Sequence, residues 1–179
     1  REKTVTVLVE DLWVPSAPTP RSQSCCRRDM SGFREFLRER RAILGLSQRE
    51  LARGSGVAQP LIAAIETGRR TATDATQDAL TRALQLRPST ALGARRAQVL
   101  EAIERIGGRD PLTIGSVARG EDTSESDLDL VITFPPEVSM IDLLSLEDEL
   151  SALLTVPVDV ISAHSSALHN SVPEDAVRV

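Results

Sequence analysis

Apolar residues recur at helical spacing from Ser31 to Leu44, where Phe33, Phe36, Leu37, Ile43 and Leu44 share a face and Arg34, Arg38, Arg40 and Arg41 fall between them. The pattern predicts a first helix with a basic outer face. Ser47-Gln48-Arg49-Glu50 has the spacing of a capping box, so a second helix is expected to start there and run through Leu51, Ala52 and Arg53. Gly56 should end it, because glycine supplies the positive φ of a tight turn. A third helix is expected from Ala58 to Thr67, with Pro60 tolerated in the first turn and Gly68 as the stop. Thr73 to Leu86 reads as a further amphipathic helix, and Leu51, Val57, Ile62 and Ile65 as the buried set. Pro88-Ser89-Thr90 separates this half from the next and can also start a helix.

Beyond it the periodicity becomes mixed. Ala91 to Ile106 carries Leu92, Val99, Leu100, Ile103 and Ile106 on one helical face, closed by Gly107-Gly108. Pro111 to Gly115 reads as a short strand with Leu112 and Ile114 on one side, and Ser126 to Ile132 as a strand that alternates at its start. Met140 to Leu154 predicts a helix with Leu143, Leu144, Leu146 and Leu150 inward and Glu147, Asp148 and Glu149 in solvent. Val156 to Ile161 is another strand, which makes a strand, crossover helix, strand unit on a small mixed sheet. The expected organisation is an all-α bundle over residues 31–88 followed by a small α/β domain over residues 91–179.

Charge sharpens that division. Residues 30–90 hold ten arginines against six acids, whereas residues 91–179 hold six arginines against sixteen acids. The first half suits a polyanion and the second suits cations. Composition is that of an ordinary soluble protein, 41% hydrophobic and 26% charged, and no apolar run approaches the roughly 20 residues of a bilayer span. Cys25 and Cys26 are adjacent and make no disulfide framework, so a reducing cytoplasm is the expected location. Residues 1–29 contain a strand-like run from Thr4 to Val9 and then a Pro/Ser/Arg-rich stretch; they are expected to be a disordered extension preceding a native start at Met30. Glu10, Asp11 and Pro15 interrupt any secretory apolar core.

The candidate chemistry lies in GSVARGEDTSESDLDL, Gly115 to Leu130. A strand running into Gly115-Ser116 and then a short helix offers backbone N–H groups and a hydroxyl to phosphate oxygens, with no Cβ at Gly115 to hold them away. Arg119, one turn on, can pair with a phosphate or an acid. Asp127 and Asp129 fall on one face of the following strand, about 7 Å apart along it. Carboxylates so close repel unless a divalent cation lies between them, and all-oxygen ligation suits magnesium. Asp159, alone in a β-branched strand, is costly to bury unless it is paired or ligating, and is the candidate third acid. His164 and His169 beyond it read as solvated.

Two stretches of the chain resemble known families. LRERRAILGLSQRELARGSGVAQPLIAAIETGRR, through Gln48, Ala52, Gly56, Val57, Ile62, Glu66 and Gly68, resembles a lambda-repressor/Cro-type helix-turn-helix domain. That resemblance implies a recognition helix from Ala58 to Thr67, with Gln59 reading a base edge and Gln48, Arg69 and Arg70 near phosphates. Ala58 stands where a hydroxyl residue is common, and Ala63 and Ala64 offer no hydrogen bonds, so a homodimer on two half-sites of an operator DNA is expected. GSVARG, the SDLDL acids and the later VDV strand together resemble the minimal nucleotidyltransferases of the polymerase-β-like superfamily, from about Leu92 to Val179. This implies a small α/β nucleotidyltransferase domain that holds ATP at Gly115, Ser116, Arg119 and Ser126. It also implies two Mg²⁺ ions on Asp127, Asp129 and Asp159, with Asp159 assisting the attacking hydroxyl, and loss of pyrophosphate. Members this small are often antitoxins that transfer AMP to a tyrosine of a toxin encoded by the adjacent gene; they usually lack a DNA-binding domain at the front, and the one fused here fits repression of the chain's own operon, as is common for antitoxins. The chain has no Tyr, so such an acceptor lies on another molecule. The alternatives are a transcription regulator whose second domain only senses nucleotide, and a small-molecule nucleotidyltransferase, for which an added substrate-holding domain after Asp159 is expected.

Overall fold

The computed structural model describes residues 30–165 and 173–179. The expected extension over residues 1–29, with Cys25 and Cys26, and His169 lie outside the described residues. Five helices come first: α1 (Met30–Ile43), α2 (Gln48–Ser55), α3 (Gln59–Glu66), α4 (Asp74–Ala83) and α5 (Pro88–Arg105). An α/β half follows: β1 (Arg109–Ile114), α6 (Gly115–Arg119), β2 (Leu128–Thr133), α7 (Met140–Leu154), β3 (Val158–Ser162) and β4 (Val177–Arg178). Among the described residues no helix is long and apolar enough to cross a membrane.

Local chemistry sets the helix ends. Ser47 accepts the Glu50 N–H while the Glu50 carboxylate accepts the Ser47 N–H, so α2 begins on the expected capping box. Gly56 ends α2 in the left-handed region at φ 72°. Ala58 opens α3 with no side-chain cap and Pro60 lies in its first turn. Thr73 caps α4, which stops at Ala83 rather than running to Leu86, as Leu84 departs from helical geometry. Phe33, Leu37, Leu51, Ile62, Ile65, Leu80 and Leu84 close a core between these helices, and Val57 packs against its edge.

The helical half does not stand apart from the α/β half. Pro88-Ser89-Thr90 is the first turn of α5, and Pro88, Ala91 and Leu92 are buried. Ile43 and Leu44, at the end of α1, pack against the second core. Arg40 is not on an outer face: only 9% exposed, it stacks on the Phe36 ring at 4.7 Å and donates to the Thr155 hydroxyl at 3.0 Å. It also donates to the carbonyls of Thr155 and Leu84. Thr155 is the left-handed C-cap of α7 at φ 58°, so Arg40 reaches an end carbonyl that the helix cannot satisfy itself. Glu39 meets Arg95 at 2.7 Å where α5 kinks. Thr155 and Arg95 lie far along the chain from α1, which is why helical periodicity alone placed Arg40 outside.

The sheet has the order β3-β2-β1-β4, with β2 and β3 parallel and the other pairs antiparallel. Leu128, Leu130 and Ile132 of β2 join Val158 and Val160 of β3 in one core with Val99, Ala102 and Ile103 of α5 and Leu146, Leu150 and Leu154 of α7. Strand alternation therefore puts Asp129 and Asp159 on the other face. In β1 the buried position is Thr113, whose hydroxyl donates to the Val177 carbonyl, while Leu112 and Ile114 are half-buried. Leu144, expected inside, is 48% exposed with Met140 and Ile141. Glu147, expected in solvent, is half-buried and accepts the Val160 N–H at 3.0 Å, and Glu149 pairs with Arg105. The helix thus turns an acidic edge to β3 and α5.

Candidate active site

Strand register assembles the acids. Asp129 in β2 pairs directly with Asp159 in β3, and Asp127 sits just before β2, which begins at Leu128 rather than Ser126. One carboxylate oxygen from each of Asp127, Asp129 and Asp159 lies within 4.8 Å of the other two, with Asp127 exposed and the others half-buried. Burial, then the charge of Asp127 and that of Asp159, push the Asp129 carboxyl up from 3.8 to about 6. Three hard oxygen donors that repel one another fit a divalent cation of the magnesium type, which removes the repulsion.

Titration should expose that strain. The unfolded carboxyl ionises near 3.8 and the folded one near 6, so the metal-free protein binds the extra proton between these values. The stability carried by protonated Asp129 is full below about pH 4 and is lost as pH rises through 6. Mg²⁺ is therefore expected to raise the melting temperature clearly at pH 7.5 and hardly at pH 5, as thermal melts with and without Mg²⁺ at the two values will show.

Gly115 abuts this cluster. Its φ of 68° is one that side chains rarely adopt, and a Cβ there would stand 2.9 Å from Asp129 Oδ2. The requirement for glycine thus comes first from backbone geometry and the neighbouring carboxylate. Gly115→Ala is expected to cost about 1–2 kcal/mol, measured by urea unfolding, and to displace Asp129. Gly115 and Ser116 open α6, facing β2 from the end of β1. Arg119 is held by acids, Glu121 at 3.0 Å and Asp175 at 3.0 Å, both of which raise its pKa. Ser126 Oγ accepts the Thr123 N–H at 2.9 Å and so shapes the turn that delivers Asp127. His164 is exposed after β3.

Two of the expected DNA contacts, Gln48 and Gln59, are joined by a chain of bonds. Gln59 donates to Gln48 Oε1 at 2.8 Å, Gln48 donates to Glu66 Oε2 at 2.8 Å, and Arg41 grips Glu66 at 2.6 and 3.0 Å. Burial pushes the Glu66 carboxyl up, but its bonds to Arg41 and Gln48 outweigh this and hold it below the usual range. Arg69 and Arg70 are exposed just past α3. Periodicity alone missed the buried role of Glu66, and it missed Asp122, which is 2% exposed in the loop before Asp127. A buried carboxylate in a polar loop has no local signature; its partners, Arg87 and Ser89, lie across the fold.

Comparison with known proteins agrees with this layout. A helix-turn-helix family model matches residues 37–90, and a nucleotidyltransferase-domain model matches residues 97–177. Two chains of Methanocaldococcus jannaschii provisionally named protein adenylyltransferases are 38% and 37% identical over 68 residues, which is 36% of this chain and 69% of each relative. A Thermococcus cleftensis chain named protein adenylyltransferase MntA is 33% identical over 78 residues, 44% of this chain and 77% of that one. No solved structure matches.

Proposed function

The chain belongs to the nucleotidyltransferase family, behind a DNA-binding helix-turn-helix, and on that premise we propose that it transfers AMP from ATP to a partner protein. The observation that carries this reading is the convergence of Asp127, Asp129 and Asp159 beside Gly115. Transfer belongs to residues 91–179 and DNA binding to residues 31–88.

Gly115 and Ser116, with Ser126 and with Arg119 once it leaves its acidic partners, would hold the triphosphate. Asp127, Asp129 and Asp159 would hold two Mg²⁺ ions. Bound Mg²⁺ supplies positive charge to the oxygens of an in-line displacement. Asp159 orients the acceptor hydroxyl and takes its proton while that oxygen bonds to the α-phosphorus, and the bond to the β-phosphate breaks with pyrophosphate as the leaving group. The chain contains no Tyr, so a tyrosine acceptor belongs to another molecule. The names of the relatives support a protein as the acceptor, and the fused DNA-binding segment supports repression of the chain's own operon; in this reading the acceptor is a toxin-like product of the adjacent gene and the repressor is a homodimer. Incubation with labelled ATP, Mg²⁺ and the neighbouring gene product should label that product, and Asp127→Ala should not. Labelling that survives Asp127→Ala would overturn this assignment.

The interlocking of the two halves through Arg40 and Arg95 favours a second reading, a regulator whose nucleotide site senses ATP. Operator affinity that changes with ATP while no pyrophosphate is released would select it.

A further inference from the structure

Asp122 is buried in the loop between the Gly115-Ser116 turn and the acid pair, yet it faces away from that chemistry toward the start of α5. Its Oδ2 accepts the Ser89 N–H at 2.9 Å, and its Oδ1 accepts from the Arg87 guanidinium at 3.1 Å. The same guanidinium nitrogen donates to the Gly120 carbonyl at 3.3 Å. Arg87 is the N-cap position of α5 and offers no side-chain cap, so Asp122 takes over that duty from another part of the chain. A carboxylate at a helix N-terminus is also favoured by the helix dipole.

The anchor is continuous with the catalytic acids. Directly after Asp122, Thr123 and Ser126 close a turn on themselves: the Ser126 hydroxyl accepts the Thr123 N–H at 2.9 Å, and the Ser126 N–H reaches the Thr123 carbonyl at 3.3 Å. Asp127 follows at once, and the Leu128 N–H then bonds to the Pro157 carbonyl at 3.0 Å. Asp127 is thus suspended between the Asp122 anchor and the sheet.

We infer that Asp122 is a positioning residue for nucleotidyl transfer: by tying the loop to Arg87 and Ser89 at the start of α5, it fixes where Asp127 stands relative to Asp129 and Asp159. The inference rests on the proposed transfer reaction for its catalytic consequence and on geometry alone for the anchoring. Burial pushes the Asp122 carboxyl up, but Ser89 and Arg87 outweigh it and keep the group below the usual range, so the anchor is charged at neutral pH.

The test uses the full chain with Asp122→Ala, Asp122→Asn and Arg87→Ala. Asp122→Ala is expected to speed amide hydrogen exchange at residues 123–127 and to lower kcat about a hundredfold, the scale of a misplaced catalytic group, with salt-dependent operator binding unchanged. Asn keeps an acceptor for Ser89 and should recover part of kcat, and Arg87→Ala should add little in the Asp122→Ala background because both act through one contact. Unchanged exchange at 123–127, or raised exchange with wild-type kcat, would overturn the inference. If the wild-type chain transfers nothing, the proposed reaction fails by itself. The exchange experiment still decides the anchoring, and Mg²⁺ titration of wild type against Asp122→Ala then reads whether Asp127 is displaced: weaker binding in the variant supports the inference and equal binding rejects it.

Discussion

Asp129→Asn is expected to lower nucleotidyl transfer about a thousandfold or more while leaving the metal-free protein at least as stable as wild type at pH 7. The two halves of that outcome have one cause. Asp129 faces Asp159 across a parallel strand pair and lies close to Asp127, and its carboxyl ionises only at about 6. Above that value the Asp129 carboxylate is charged beside the two other acids, a repulsion that a bound divalent cation would relieve. Removing one charge with an isosteric amide relieves the repulsion and takes away a ligand of the proposed cation site together. A merely structural Asp129 predicts the reverse, lower stability with activity following it. Steady-state transfer rates and metal-free melts on the same preparation separate the two.

Glu66→Ala is expected to destabilise the chain by about 3 kcal/mol, lowering the melting temperature by about 6–12 °C. Glu66 is 7% exposed and accepts from Arg41 twice and from Gln48 once. Truncation leaves the Arg41 guanidinium without its counter-charge beside a packed core, which costs more than the ion pair itself contributes. The same change frees Gln48 and, through it, Gln59. Operator binding should then weaken even at temperatures where the variant is folded. Glu66→Gln keeps acceptors for Arg41 and Gln48 and should restore most of the DNA affinity with less of the stability. Thermal melts and operator titration at two salt concentrations read both.

How much of this was legible in the sequence depends on the range of the interaction. Caps are local, so Ser47, Glu50 and Gly56 announced the ends of α2. Strand alternation is local too: it turned Asp129 away from the apolar positions of β2, and the β-branched run around Asp159 declared a second strand, which the register then brought opposite, whereas Asp127, expected on β2, lies just before it. What periodicity could not carry was any contact across the fold. Arg40 lies among other arginines in the sequence, but its partner Thr155 is 115 residues away. Asp122 sits in a polar loop and finds Arg87 35 residues back. Leu144 and Glu147 exchanged expected places because α7 rests on both α5 and β3, so its buried stripe is set by two neighbours rather than by one apolar face.

In the proposed reaction the site moves an AMP group and not a phosphate. ATP labelled at the α-phosphate and ATP labelled at the γ-phosphate, each incubated with Mg²⁺, the full chain and the neighbouring gene product, test it most directly. Stable labelling of the partner is expected from the α-label alone, with pyrophosphate release in step with it and loss of both in Asp129→Asn. Label arriving from the γ-phosphate, or no label from either with the partner present, contradicts it.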